Sequence, residues 1–332
     1  MKEALFWQVE GQKVRCLLCP HNCLISEGKV GKCKVRFNKD GKLFSQAYGN
    51  LCALALDPIE KKPLYHFLPG TKTLSIAHEG CNLQCKNCQN FNISQKLSSN
   101  IVAELWPEQL VKLALNKKIP SISFTYTEPT VFYEYVLETA KISHLYGIKN
   151  ILVSNGYIMP QALQQLSAFL DAVNIDVKAF ENEVYKQLTG AQLQPVLDTI
   201  LYLVEQHIHV ELTYLMVPGF SDNIEQIHAF LEWLLRHSLN HIPIHFSRFF
   251  PTYELEKLQP TPLEHIQNAY FEAQKMGMKY VYQGNVRLMD NATYCPRCKN
   301  ILISRKDFYE VNYRGIKNGK CNSCSYNIYG VF

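Results

Sequence analysis

The sequence predicts an α/β protein whose central region approaches a (β/α)6-type partial barrel. A cysteine-rich segment precedes this region, and a small β-rich module follows it. Three observations support this prediction. Apolar strands alternate with helices between residues 73 and 283, cysteines cluster on both sides of that region, and 47% of the 332 residues are hydrophobic, enough for a sizeable core. We therefore expect three parts, over residues 1–56, 57–290 and 291–332.

The central region begins with a short strand and then repeats helix and strand. Parallel strands joined by helices form right-handed crossovers, and the chemistry of such sheets lies at the carboxyl ends of the strands. The sequence predicts strands over 73–77, 122–126, 150–154, 173–177, 209–217, 244–250 and 280–283. It predicts helices over 107–116, 131–146, 161–170, 183–188, 196–206, 223–237 and 263–276.

Composition excludes several classes of protein. Charged residues make up 19% of the chain, and 16 glycines and 15 prolines are too few for a collagen-like or wholly disordered chain. A net charge of +5 is too small to indicate a nucleic-acid partner by itself. The longest apolar runs are shorter than the roughly 20 residues that span a bilayer, and the N-terminus lacks the apolar core of a signal peptide. We expect a cytoplasmic protein that does not associate with a membrane.

Twelve cysteines carry most of the functional information. Eleven fall into three tight clusters, and clustered thiols in a reducing compartment indicate metal binding rather than disulfides. The remaining one, Cys52, lies among apolar neighbours and is expected to be a small buried side chain. The clusters are Cys16, Cys19, Cys23 and Cys33; Cys81, Cys85 and Cys88; and Cys295, Cys298, Cys321 and Cys324.

The central cluster follows the first predicted strand and has three thiols within eight residues. Cys81, Cys85 and Cys88 can hold three corners of an iron–sulfur cube, and no fourth cysteine lies nearby in sequence. A [4Fe–4S] cluster normally takes four thiolates, so one iron would stay open to a ligand. The alternative is a zinc site with a fourth ligand from elsewhere, such as His78.

The terminal clusters differ in how strongly they indicate a metal. Cys295 to Cys298 and Cys321 to Cys324 are two CxxC pairs at the spacing of a structural zinc ribbon, with a second iron–sulfur centre as the alternative. The N-terminal four thiols could hold zinc or an auxiliary iron–sulfur cluster, and His21 could replace one of them. The ferredoxin spacing is not reproduced there, which favours zinc.

The CxxxCxxC spacing of the central cluster resembles the signature of the radical S-adenosylmethionine (SAM) superfamily, and the barrel resembles the pyruvate formate-lyase activating enzymes. In that family a Gly-Gly-Glu-Pro stretch contacts the SAM amino group. Here Tyr126 and Thr127 stand in place of the two glycines. The resemblance implies a [4Fe–4S] cluster, SAM, and SAM contacts from Glu128, Ser154, Asn155, Asp176, Lys178 and His245.

These residue types suit the polar groups of SAM independently of the resemblance. A carboxylate can offset the ammonium group, a lysine suits the carboxylate, and a histidine can bond a ribose hydroxyl. Each also has a structural alternative. Glu128 could stabilise a helix N-terminus, Asp176 and Lys178 could form an internal ion pair, and His245 could be a core histidine.

Across nearly its whole length, the chain resembles the AmmeMemoRadiSam system radical SAM enzymes. Segments that carry this resemblance include residues 57–66, 123–129, 280–285 and 293–296. It implies reductive SAM cleavage to a 5′-deoxyadenosyl radical that abstracts hydrogen from a protein or RNA substrate. It also implies Amme-type and Memo-type partners and an electron donor such as flavodoxin or ferredoxin. The alternatives are a glycyl-radical-enzyme activase and a metal-dependent nucleic-acid-binding protein.

Overall fold

A computed structural model describes residues 1–97, 101–286 and 291–332. The first fifty residues form short antiparallel strands rather than helices. One three-stranded sheet has the order β1-β6-β5 and another the order β2-β3-β4. Asp40 and Gly41 form the two-residue turn between β5 and β6, and both have positive φ, as a tight hairpin turn requires. The strands are β1 (Lys2–Glu3), β2 (Trp7–Glu10), β3 (Lys13–Cys16), β4 (Leu24–Ser26), β5 (Arg36–Lys39), β6 (Lys42–Ser45) and β7 (Asn50–Leu51).

The central region is one eight-stranded sheet with helices between its strands. Its first strand, β8, was not predicted from the sequence and pairs antiparallel with the next. The strands are β8 (Ala53–Pro58), β9 (Lys72–Ala77), β11 (Ser121–Phe124), β12 (Lys149–Ser154), β13 (Ala172–Val177), β14 (His209–Met216), β15 (Ile244–Arg248) and β16 (Val281–Gly284), while the short β10 (Ala103–Glu104) pairs with β7. The helices are α1 (Phe91–Ser94), α2 (Pro107–Asn116), α3 (Tyr133–Leu145), α4 (Pro160–Ser167), α5 (Asn182–Thr189), α6 (Gln194–Glu205), α7 (Ile224–Arg236) and α8 (Leu263–Lys275).

The pairing order of the sheet follows the chain. Strands β9 and β11 to β16 run parallel to one another, and helical connections join them. In the described part of the chain this makes six strand–helix units and a seventh strand, which agrees with the predicted α/β class. The pairing ends at β8 on one side and β16 on the other, so closure into a barrel remains a prediction.

Local sequence accounts for where α2 and α3 begin. Helix α2 begins with Pro107 at its first position, as predicted. The predicted helix over 131–146 is divided, because a 3-10 turn over Pro129–Phe132 precedes α3. Among the described residues, no helix is long and apolar enough to cross a membrane.

The two faces of the parallel sheet differ in polarity. Along β14, Val210, Leu212 and Tyr214 belong to the large apolar core under the helices. Glu211 and Thr213 alternate with them and are also buried. Because successive strand residues point to opposite faces, the second face carries polar side chains. A polar, buried sheet face can hold a charged ligand.

The C-terminal module consists of five short strands, which agrees with the β-rich module predicted there. It packs on the central sheet, because Cys295 and Cys321 share an apolar cluster with Tyr65, Tyr280 and Tyr282. The strands are β17 (Thr293–Tyr294), β18 (Ile301–Arg305), β19 (Val311–Asn312), β20 (Ile316–Lys317) and β21 (Lys320–Cys321).

Candidate functional site

The central cysteine loop leaves the carboxyl end of β9 and is held by backbone hydrogen bonds. Gln84 N donates to the carbonyl of Thr189 at 2.8 Å, and Lys86 N donates to that of Leu188 at 3.0 Å. Gly80 N donates to the carbonyl of Ile93 at 2.9 Å. The loop is therefore fixed to α5 and α1 rather than free. Cys81, Cys85 and Cys88 are all partly buried.

The surroundings of these thiols suit metal ligands. Burial raises the pKa of Cys81 well above its ordinary value. Burial also raises the pKa of Cys85 to about 12, although Lys178 opposes the shift. Metal ligation requires thiolates, so a bound cation must supply the charge that stabilises them. Without such a cation the site would carry neutral thiols.

The three thiols are too far apart to converge on a single zinc ion. Thiolates around one zinc ion at a Zn–S distance of about 2.3 Å lie about 3.8 Å apart. In the described chain, Cys81, Cys85 and Cys88 do not form a group within 4.8 Å of one another, with or without His78. The His78 ring packs instead against Phe132, with ring centroids 5.0 Å apart.

Glu128 is buried and organises the end of β12. Its Oε1 accepts hydrogen bonds from Thr130 N at 3.0 Å, from Thr130 Oγ1 at 2.7 Å and from Ser154 Oγ at 2.8 Å. Its Oε2 accepts one from Asn155 N at 2.8 Å. Burial raises the pKa of Glu128, although these four donors oppose the shift. Glu128 thus caps the 3-10 turn that follows it, which is the structural role considered above as an alternative to SAM binding.

Asn155 joins this carboxylate to the cysteine loop. Its Nδ2 donates to Asn82 Oδ1 at 2.9 Å and lies 3.8 Å from Cys81 Sγ. Glu128, Ser154, Asn155 and Cys81 therefore form one connected set at the carboxyl ends of β9 and β12.

Asp176 and Lys178 lie at the end of β13 and form an ion pair. Lys178 Nζ is 2.7 Å from Asp176 Oδ2. Burial would lower the pKa of Lys178, but Asp176 and then Cys85 raise it above its usual value. The pair is half-buried and close enough to the thiols to influence them electrostatically.

His245 has a different position from the one that the strand-end pattern suggested. It is the second residue of β15, not a residue at its carboxyl end. Its Nε2 lies 2.8 Å from Glu211 Oε2, and its ring contacts Tyr65 and Tyr282. No hydrogen bond within the described ranges joins His245 to the other five predicted SAM contacts. Glu211 is 0% exposed, and it also accepts hydrogen bonds from Tyr65 N and His66 N.

Sequence reasoning missed a buried polar group beside the loop. Lys62 Nζ lies 2.6 Å from Asp57 Oδ2, and the Tyr126 hydroxyl donates to the same carboxylate oxygen. Tyr126 has φ of +64°, a conformation that favours glycine. The Tyr126 carbonyl accepts from Asn90 Nδ2 at 2.7 Å, which ties the residue to the cysteine loop.

The two terminal thiol clusters differ in compactness. The ligand atoms of Cys295, Cys298, Cys321 and Cys324 all lie within 4.8 Å of one another. Cys16, Cys19, Cys23 and Cys33 instead line one pocket, and within the described ranges no three of them form such a compact group. Both clusters were predicted, and the structure brings together the four thiols of each. Cys52 is buried, as expected, and its Sγ lies 3.5 Å from the Ala77 carbonyl oxygen.

Comparison with known proteins agrees with this architecture. The family described as the Radical SAM superfamily matches residues 75–234. An uncharacterised protein of Methanocaldococcus jannaschii is 41% identical over 332 residues, which is 99% of each chain. The pyruvate formate-lyase 1-activating enzyme of Escherichia coli is 23% identical over 173 residues, covering 50% of this chain and 69% of that protein.

Solved structures show the same fold at low sequence identity. The chain is similar to Streptococcus suis SuiB bound to precursor peptide SuiA, with a TM-score of 0.52 and 13% identity, covering 69% of this chain and 52% of that one. It is also similar to a radical SAM methyltransferase from Sphaerobacter thermophilus, with a TM-score of 0.51 and 13% identity, covering 68% and 70%. The radical SAM domain implies a [4Fe–4S] cluster and SAM, and the three-thiol loop fits both. The chain is therefore an enzyme that belongs to the radical SAM superfamily.

Proposed function

We propose that this enzyme binds a [4Fe–4S] cluster through Cys81, Cys85 and Cys88 and abstracts hydrogen from a macromolecular substrate, a protein or an RNA. When bound, that cluster would supply one electron for the reductive cleavage of SAM to methionine and a 5′-deoxyadenosyl radical. The observation that carries this proposal is the connected set of Cys81, Asn155 and Glu128 at the carboxyl ends of β9 and β12.

The residues around the loop have separable roles in this proposal. Lys178 supplies a cation for the SAM carboxylate, and Asp176 holds that cation in place at 2.7 Å. Glu128 fixes the backbone of Asn155, which in turn lies against Cys81. Glu128 therefore acts as a positioning residue, because both of its oxygens are already occupied by donors of this chain.

His245 takes a different role from a direct ribose contact. Its Nε2 already pairs with Glu211, and its ring packs between Tyr65 and Tyr282. We propose that it orders the polar sheet face below SAM, and that any ribose contact uses its other nitrogen.

Asp176→Ala tests the SAM site. Without Asp176, Lys178 loses the partner that holds it towards the SAM carboxylate. Because one polar contact to a ligand is worth roughly 1–3 kcal/mol, SAM affinity should fall about 5–150-fold while iron content is unchanged. The measurements are SAM binding by calorimetry and 5′-deoxyadenosine by chromatography after anaerobic reduction. Asp198→Ala is the matched control, because Asp198 lies exposed on α6 and its carboxylate accepts a hydrogen bond from Gln194.

Two results would contradict the proposal. One is wild-type SAM affinity in Asp176→Ala. The other is the absence of 5′-deoxyadenosine from fully loaded, reduced wild-type enzyme even with candidate protein and RNA substrates.

The C-terminal thiols have the geometry of a zinc site, and we propose that they hold one structural zinc ion. Sγ atoms of Cys295 and Cys324 are 3.6 Å apart, and those of Cys298 and Cys321 are 3.7 Å apart. A tetrahedron with Zn–S bonds of about 2.3 Å has thiolates about 3.8 Å apart, so the four thiols match it closely.

A glycyl-radical-enzyme activase is the second candidate function. The 23% identity to the pyruvate formate-lyase activating enzyme favours it, but that match covers 50% of this chain. It would require a protein substrate whose backbone glycine loses hydrogen, and a glycyl radical signal in an added partner would support it. A nucleic-acid-binding role without SAM chemistry predicts salt-dependent RNA retention and no deoxyadenosine.

Partners remain part of the proposal. An electron donor such as flavodoxin or ferredoxin is needed because the reaction consumes one electron for each SAM cleaved. Amme-type and Memo-type proteins are candidate partners from the family resemblance. Pull-down with purified candidates, followed by a deoxyadenosine assay, tests both kinds of partner.

A further inference from the structure

The four N-terminal thiols line a pocket and do not converge on one ion-sized site. Cys16, Cys19, Cys23 and Cys33 line one pocket between β3, the β4 hairpin and the 3-10 turn after β11. Cys16 and Cys33 are buried, and the other two are partly buried. The pocket thus brings four thiols together where water has little access.

The size of this thiol set excludes the compact geometry of a single zinc ion. The C-terminal thiols of the same chain provide an internal comparison, because all four lie within 4.8 Å of one another. Among the residues that the structure describes, no three of the N-terminal thiols form such a group. Thiols that lie farther apart than the ligands of one ion fit a group larger than a single zinc ion.

Arg36 supplies a second, independent indication of the ligand. Its side chain is 1% exposed and lines the pocket. Nη1 donates to Glu134 Oε1 at 2.8 Å, while Nε and Nη2 are buried without an acceptor in the described chain. A buried guanidinium with two unused donors is costly unless an anionic acceptor is present. Sulfides and thiolates of a cluster are such acceptors.

His21 does not compete with the thiols as a ligand. Its Nε2 is 2.7 Å from the Asn82 carbonyl oxygen, and its Nδ1 is 3.3 Å from Lys32 Nζ. Both ring nitrogens are therefore engaged. The first contact also joins the pocket wall to the residue next to Cys81.

We infer that the N-terminal thiols hold a second, four-thiolate [4Fe–4S] cluster, with Arg36 donating hydrogen bonds to its sulfur atoms. This inference goes beyond the function proposed above, which needs only the cluster at Cys81, Cys85 and Cys88. It replaces the expectation of zinc at the N-terminal site. The two clusters would lie on either side of Asn82, which lines the pocket and contacts Asn155.

Metal counting on the full chain tests the inference without any variant. Protein produced with iron–sulfur assembly and purified anaerobically should contain about eight iron atoms and about one zinc ion per chain. A count of about four iron atoms and two zinc ions would overturn the inference, because zinc would then occupy the N-terminal site.

A pair of variants assigns the iron to its site. The combined change Cys81→Ala, Cys85→Ala and Cys88→Ala should retain about four iron atoms and a reducible cubane signal in electron paramagnetic resonance. Adding Cys16→Ser and Cys33→Ser should remove that iron and leave the zinc. Cys52→Ser is the control for loss of a cysteine outside the clusters. Loss of all iron from the first variant while circular dichroism stays unchanged would contradict the inference.

Failure of this inference is distinguishable from failure of the proposed function. A wild-type protein with eight iron atoms and no SAM cleavage would contradict the proposed function and still support the second cluster. SAM cleavage by a protein with only four iron atoms would support the proposed function and contradict the second cluster.

Discussion

Gly80 shows how one residue can set the distance between the N-terminal segment and the central cysteine loop. It has φ of +98°, and a Cβ placed there would lie 2.7 Å from the Cys33 carbonyl oxygen and 2.9 Å from Val35 Cγ1. Contacts that short do not occur between real Cβ atoms and backbone, so any side chain would push the N-terminal segment from the cysteine loop. The close approach therefore depends on glycine.

Gly80→Ala should destabilise the protein by about 2–4 kcal/mol, the sum of left-handed strain and a clash with backbone. It should also lower the iron content after reconstitution. Thermal unfolding and iron analysis are the measurements. Gly147→Ala is the matched control, because Gly147 has φ of +71° and nothing within 4 Å of its Cβ position. Equal losses in the two variants would show that strain alone matters at Gly80.

Tyr126 is a second residue whose conformation serves the site. Its φ of +64° is unfavourable for tyrosine by about 1 kcal/mol or more. Its hydroxyl donates to Asp57, and Lys62 Nζ lies 4.4 Å from its ring centroid. These contacts, together with the bond from Asn90, hold the strained backbone beside the cysteine loop.

At the scale of elements, a buried ion pair holds the N-terminal strands to the central region, and an arginine–tyrosine contact holds the C-terminal module to it. Arg36 in β5 pairs with Glu134 in α3 at 2.8 Å, and both side chains are almost fully buried. Arg305 in β18 donates to the Tyr65 carbonyl at 2.5 Å and stacks 4.3 Å from the Tyr65 ring centroid. Neither module is therefore an independent appendage.

Cys298→Ser should release about one zinc ion per chain and make the C-terminal module protease-sensitive, because zinc supplies much of the folding free energy of so small a module. Zinc analysis and limited proteolysis are the measurements, with Ser304→Ala as the control, because Ser304 is an exposed residue of β18. We expect SAM cleavage without substrate to persist, since Cys81, Cys85 and Cys88 are retained. Loss of cleavage with full iron content would show that the module supports catalysis through Tyr282, which stacks on His245.

At the scale of the whole molecule, His66 connects three parts of the fold. Its Nε2 lies 2.6 Å from the Tyr282 hydroxyl of β16, and its Nδ1 lies 2.6 Å from the Tyr329 carbonyl oxygen of the C-terminal module. The carbonyl can only accept, so Nδ1 carries the proton and Nε2 accepts from the tyrosine. Burial lowers the pKa of His66 to about 3.

Stability should consequently fall in acid through this group. The folded pKa lies below the unfolded value of about 6.5, so the unfolded chain binds the proton first. The contribution of His66 is complete above about pH 6.5 and is lost as pH falls towards 3, at up to about 1.4 kcal/mol per pH unit. Melting temperature measured from pH 6.5 to 4.5 should decline less steeply in His66→Gln than in wild type. Identical slopes would contradict this role, and His237→Gln serves as a surface control.

Local sequence was enough to predict the alternation of strands and helices, the three thiol clusters and the cysteine loop that follows β9. These features depend on local periodicity and short spacings, which remain visible in one chain segment. It did not predict β8, the contact between Gly80 and Cys33, or the pairing of His245 with Glu211. Those depend on residues that are distant in sequence and meet only when the sheet and the two modules pack. The compact C-terminal thiols and the open N-terminal pocket likewise follow from tertiary structure, because spacing along a chain does not fix the distance between side chains.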